Sequence, residues 1–150
     1  KSDSTPTGMC LEKQMVLVFD TAPMHNSHAV TSATLKFTVK TNINADVTTT
    51  RLRVYSKQIT GSCPGSLSNG DFIGCGADYN NLGLITVSGT GQKTFTIPNA
   101  DTYLNKTGPT KFVLVDASVF SSADGTQTIE IHTNDATTST KRPALETVYD

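Results

Sequence analysis

Tryptophan is absent from this 150-residue chain, and glutamate occurs only at Glu12, Glu130 and Glu146. Without tryptophan the chain lacks the side chain that sugar platforms most often use. With three scattered glutamates it lacks both a strong helix former and the convergent carboxylate pair of a glycosidase. No apolar run approaches the ~20 residues of a membrane span; the best candidate, Met15 to Phe19, has strand length. Neither sign of charge dominates: 12 Lys and Arg stand against 13 Asp and Glu, for a net charge of −1. That balance excludes nucleic acid as a partner for the surface as a whole, because phosphate recognition needs a basic excess. Catalytic motifs are missing as well. There is no Gly-x-Ser-x-Gly elbow, and Gly89-Thr90-Gly91-Gln92-Lys93-Thr94 lacks the spacing of a phosphate-binding loop. The chain is therefore not expected to be an enzyme.

Threonine, by contrast, fills 25 positions. So many β-branched residues among few helix formers point to strands, and alternation of period two recurs from end to end. Gln14 to Asp20 is a short apolar strand. Ser32 to Lys40 sets Ala33, Leu35, Phe37 and Val39 on one face against Thr34, Lys36, Thr38 and Lys40. Thr48 to Lys57 opposes Leu52 and Val54 to Arg51, Arg53, Tyr55 and Lys57. Leu84 to Ser88 and Lys93 to Ile97 flank Gly89-Thr90-Gly91-Gln92, which reads as a hairpin turn. Lys111 to Ala117, Thr126 to His132 and Ala144 to Tyr149 follow. One short helix is expected over Asn99 to Asn105, capped by Asn99 or Asp101 and ended by Gly108-Pro109. At 150 residues this is one all-β domain, an antiparallel β-sandwich of jelly-roll type, with residues 1–11 as a polar N-terminal segment.

Cys63 and Cys75 bracket a stretch rich in Gly, Ser, Pro and Asn that cannot hold itself by packing, so a disulfide between them is expected. Closing such a loop is worth about 3 kcal/mol on the chain-entropy model. A disulfide implies a secreted, extracellular or cell-surface protein, and the start at Lys1-Ser2-Asp3 fits a mature form or an excised segment. Cys10 is left over, as a buried thiol or an intermolecular link. The sequon Asn105-Lys106-Thr107 offers a glycosylation acceptor at Asn105.

Candidate ligand chemistry concentrates on one strand. Arg51, Arg53, Tyr55 and Lys57 share a face, alternate residues ~6.6 Å apart, and Lys36 and Lys40 join them if the two strands are neighbours. Guanidinium forks match uronate carboxylates and a tyrosine ring supports a sugar face; the plain alternative is an ordinary solvent-facing row. His25 and His28 do not fill a metal coordination sphere, and His132 reads as a surface residue, so no metal site is expected. Structural calcium on Asp71, Asp78 and Asn80 is the one cofactor to weigh, and their spacing lacks the EF-hand order.

Several segments together resemble the secreted DNRLRE-type domain, related to carbohydrate-binding module family 96. Met15-Val16-Leu17-Val18-Phe19-Asp20, a loop, and Val30-Thr31-Ser32-Ala33-Thr34-Leu35 resemble the family's opening core. Ile129 to Asp135 followed by Lys141-Arg142-Pro143-Ala144-Leu145 is similar to its closing strands. The resemblance spans residues 12 to 149 and implies polysaccharide recognition. Two features depart from it. The family's Arg-Glu turn reads Thr133-Asn134-Asp135 here, and its additional leading strand has no counterpart before Leu11. A missing leading strand would leave a sheet edge uncovered. Two functions are therefore expected. The first is a non-catalytic carbohydrate-binding or adhesive module for an acidic or cell-wall polysaccharide. The alternative is a structural subunit of an extracellular filament, pilus or coat. Such a subunit would join copies of itself or a neighbouring subunit by strand addition or through Cys10.

Overall fold

The computed structural model describes residues 14–24, 27–45, 47–57, 79–117, 119–120 and 126–150. It is the expected antiparallel β-sandwich with one short helix. Sheet A has the order β1 (Gln14–Asp20), β7 (Pro109–Asp116), β4 (Arg51–Lys57), β5 (Tyr79–Thr86). Sheet B is built on β2 (Val30–Ala45), a 16-residue strand. Along its first half β2 lies between β10 (Ala144–Tyr149) and β6 (Gly91–Thr96), and along its second half it pairs with β9 (Thr126–Ile131). Val39 stands opposite Gly91 on one side and Ile131 on the other, so β9 continues the edge that β10 begins. A small third pairing joins β3 (Val47–Thr49) to β8 (Val119–Phe120).

Alternation explains the core. Ala33, Leu35, Phe37 and Val39 of β2 meet Leu17 of β1, Leu52 and Val54 of β4, and Phe112 and Leu114 of β7 between the sheets. Phe19 packs edge-on against Phe112 with ring centroids 6.1 Å apart, tying β1 to β7. On β5 a bulge opposite Val54 and Tyr55, with Gly83 at φ 140°, lets both Leu82 and Ile85 point inward.

The expected hairpin at Gly89 to Gln92 is not one. β5 pairs with β4 in sheet A and β6 with β2 in sheet B, so the connection crosses between the sheets. Gly89 and Gly91 at φ 60° and 94° supply the reversal, and Lys93 Nζ donates to the Ser88 carbonyl at 2.6 Å. The strand read as continuous from Thr48 is interrupted at Thr50, whose carbonyl accepts the Val87 N–H.

The helix α1 is shorter than expected, Ala100–Tyr103, and neither proposed cap closes it. Asn99 sits at the N-cap in the left-handed region without a side-chain hydrogen bond. Asp101 instead accepts the Val30 N–H at 2.8 Å and pairs with Lys106, whose Nζ also donates to the His28 carbonyl. Those bonds fasten α1 to the entrance of β2. They also hold the Asp101 carboxyl below its ordinary range, Lys106 first and the Val30 amide second.

Beyond α1, the loop to β7 is closed by two buried hydroxyls. Thr110 Oγ1 lies 2.8 Å from Thr21 Oγ1 and accepts the Asn105 N–H, while the Thr21 hydroxyl reaches the Asn105 and Gly108 carbonyls at 2.7 Å. Thr110→Val keeps the shape and leaves the Asn105 amide without its acceptor. It is predicted to cost about 1–3 kcal/mol in urea unfolding. A depressed carboxylate stabilises the fold fully above its unfolded pKa of about 3.9, and that contribution is lost as pH falls through the lower folded value. Melting curves from neutral to strongly acid pH should therefore show a steeper acid loss for the natural chain than for Asp101→Asn.

Candidate functional site

Arg51, Arg53 and Tyr55 project from the outer face of sheet A, because Leu52, Val54 and Ser56 fill the inner positions of β4. All three are half-buried. Arg53 is flanked in register by Leu84 of β5 and Val115 of β7, Tyr55 by Asn81 and Val113, and Arg51 by Thr86. Lys57 ends the strand opposite Tyr79 and Lys111.

This face is not a simple polar surface. Val113 is fully buried and Val115 nearly so, yet neither belongs to the inter-sheet core. Lys111, on the same face, is also buried. The run Phe112 to Val115 is thus enclosed on both sides, as its unbroken apolar character requires. Against this apolar centre lies the Arg53 guanidinium. It makes no ion pair among the described residues, and its Nε is shielded from water with no hydrogen-bond partner.

Lys36 and Lys40 do not extend the stripe. They stand on β2, in sheet B, and the outer faces of the two sheets of a sandwich point apart. Each has a carboxylate partner of its own: Lys36 pairs with Glu146, and Lys40 lies 3.4 Å from Glu130. Glu130 also accepts the Thr41 hydroxyl at 2.8 Å. Thr41 first, and Lys40 after it, lower its pKa.

A second concavity lies on the opposite side of sheet A, where spacing in the sequence gave no signal. A groove of about 290 Å³ runs along β1, lined by Met15 to Phe19, the turn His132 to Asp135, and Pro143. These two stretches are more than a hundred residues apart in the chain. Among the described residues β1 pairs only with β7.

The remaining expected residues divide simply. His28 Nδ1 contacts the Asp150 carbonyl at 3.0 Å, and His132 is half-buried beside the groove. Among the described residues no group of three or more His, Cys, Asp or Glu is placed to hold a metal ion. Asn80 is an exposed residue of β5. Cys10, His25, Cys63, Asp71, Cys75 and Asp78 lie outside the described residues, so the expected disulfide and the calcium ligands Asp71 and Asp78 do too. Asn105 is half-buried, and its Oδ1 accepts the Thr107 amide at 3.1 Å and hydroxyl at 3.0 Å, a compact turn within the sequon. No helix among the described residues is long and apolar enough to cross a membrane. Compared with family models, curated proteins and solved structures, the chain finds no match.

Proposed function

We propose that the chain is a non-catalytic extracellular module that binds an acidic or cell-wall polysaccharide on the outer face of sheet A, at Arg51, Arg53 and Tyr55. The observation that supports this reading is Arg53. A guanidinium beside apolar neighbours, with its Nε out of water and unbonded, carries an unmet demand for an acceptor. A uronate carboxylate offers two oxygens in the geometry of the guanidinium fork. Tyr55, two residues along the same face, presents a ring against which a sugar face can pack, and Arg51 two residues before adds positive charge. Lys57 extends the row along the strand. Lys36 and Lys40 are not part of the proposed site, since their sheet faces away and each already has a carboxylate.

The alternative, a filament, pilus or coat subunit joined by strand addition, draws on a different feature, the one-sided pairing of β1 among the described residues. Retention on immobilised polygalacturonate tests the carbohydrate reading. The double variant Arg51→Ala, Arg53→Ala should lose retention while its melting temperature stays within a few degrees of the natural chain. Raising the salt concentration should release the natural protein. Retention unchanged by the double substitution would overturn the site.

A further inference from the structure

Strict alternation along β5 from the inward Leu82 would turn Leu84 toward the core and Ile85 away from it. The bulge opposite Val54 and Tyr55, with Gly83 at φ 140°, reverses that phase. Ile85 is buried, and Leu84 stands on the outer face, 45% exposed. Glycine suits the bulge twice over. Its φ is one that L side chains rarely adopt, and the Phe95 ring lies 3.4 Å from where a Cβ would stand. Bulges of this kind re-aim a side chain beside a site. Among the described residues Leu84 and Val148 are the exposed large hydrophobics. Val148 belongs to sheet B, whereas Leu84 stands directly across from Arg53, at the cross-strand spacing of about 5 Å.

The two sides of Arg53 differ. Toward β7 its neighbour Val115 is enclosed. Toward β5 Leu84 is accessible, and the exposed Asn81 and Thr86 stand in the same row, opposite Tyr55 and Arg51. A sugar whose carboxylate reaches the Arg53 guanidinium therefore lays its body over β5. It meets one apolar side chain there, with a polar one on either side. A bare hydroxyl over Leu84 loses water and gains no hydrogen bond, whereas a methyl group gains from the same burial. An O-acetyl ester on a ring hydroxyl supplies that methyl and leaves the carboxylate charged. A methyl ester of the uronate supplies a methyl only by removing the charge that Arg53 requires.

We infer that the ligand of this face is an O-acetylated uronate polymer, and that Leu84 is the residue that selects the acetyl group. The inference rests on the polysaccharide reading and adds to it the class of sugar and the side chain that chooses it. Arg53 takes the carboxylate, and Leu84, one strand away, takes the methyl.

Affinity of the full chain for three polymers tests it: polygalacturonate, its chemically O-acetylated form, and its fully methyl-esterified form. The natural chain should bind the acetylated polymer about fourfold more tightly than the bare one, the worth of one buried methyl group, and the esterified polymer least. Leu84→Thr keeps a β-branched residue on the exposed face of the strand. It should abolish the preference and leave affinity for bare polygalacturonate unchanged, while Val148→Thr keeps the preference. Equal affinity of the natural chain for the acetylated and bare polymers would overturn the inference whatever the variants do, and would leave the polysaccharide reading standing. A preference that survives in folded Leu84→Thr would have the same meaning. Binding to none of the three polymers, or tightest binding to the esterified one, would overturn that reading and the inference with it.

Discussion

Strand β7 is the constraint on which the rest of the sandwich depends. It lies between β1 and β4, so its backbone is paired on both sides, and its side chains are buried on both faces. Phe112 and Leu114 enter the core against Leu35, Phe37 and Val39, and Val113 and Val115 are enclosed on the outer side. A fully buried valine or leucine contributes roughly 1.5–3 kcal/mol, so a strand with four such residues in succession anchors its neighbours. Its first residues are fixed by hydroxyls: Thr110 locks to Thr21 just beyond the end of β1, and Pro109 stands opposite Asp20.

That arrangement separates two surfaces of sheet A with different chemistry. On one flank of β7, β4 lays cationic and aromatic residues beside an apolar strip, where the Arg53 Nε lacks an acceptor. On the other flank, β1 runs in unbroken register with β7, its residues apolar from Met15 to Phe19, and among the described residues no second strand pairs with it. Sheet B answers its own charges. Two of its lysines meet glutamates across strands, Lys36 beside Glu146 and Lys40 beside Glu130, as expected of a solvated face. The unbonded Arg53 Nε and the groove beside β1 both lie on sheet A.

Much of the fold was legible because alternation is a local signal. β1 and β10 have the bounds expected from the sequence, and the inward sets Ala33, Leu35, Phe37, Val39 and Leu52, Val54 are buried as read. What could not be read was which strands share a sheet. Two strands joined by Gly-Thr-Gly-Gln look like a hairpin, yet β5 and β6 find partners in different sheets, and nothing within the local sequence records that choice. The same limit applies to Lys36 and Lys40, which extend the arginine stripe only if β2 neighbours β4, and the two strands lie in different sheets. Arg51, Arg53 and Tyr55 were recoverable because one strand sets their common face. The groove beside β1 was not, since it brings Met15 to Phe19 against His132 to Asp135 through tertiary contact alone. Asp101, one of two candidate caps in the sequence, is a tether between α1 and β2, a role that depends on where Val30 arrives.

The most direct measurement of whether β7 is enclosed on both faces is urea unfolding of Val113→Thr beside Val148→Thr. Both changes swap a methyl for a hydroxyl at nearly constant shape. Val113 has no exposure and Val148 is 57% exposed. Two-sided burial predicts a loss of about 1–3 kcal/mol for Val113→Thr and a change within about 0.5 kcal/mol for Val148→Thr. Equal, small effects at the two positions would contradict it, and would mean that the outer face of sheet A is an ordinary solvent face.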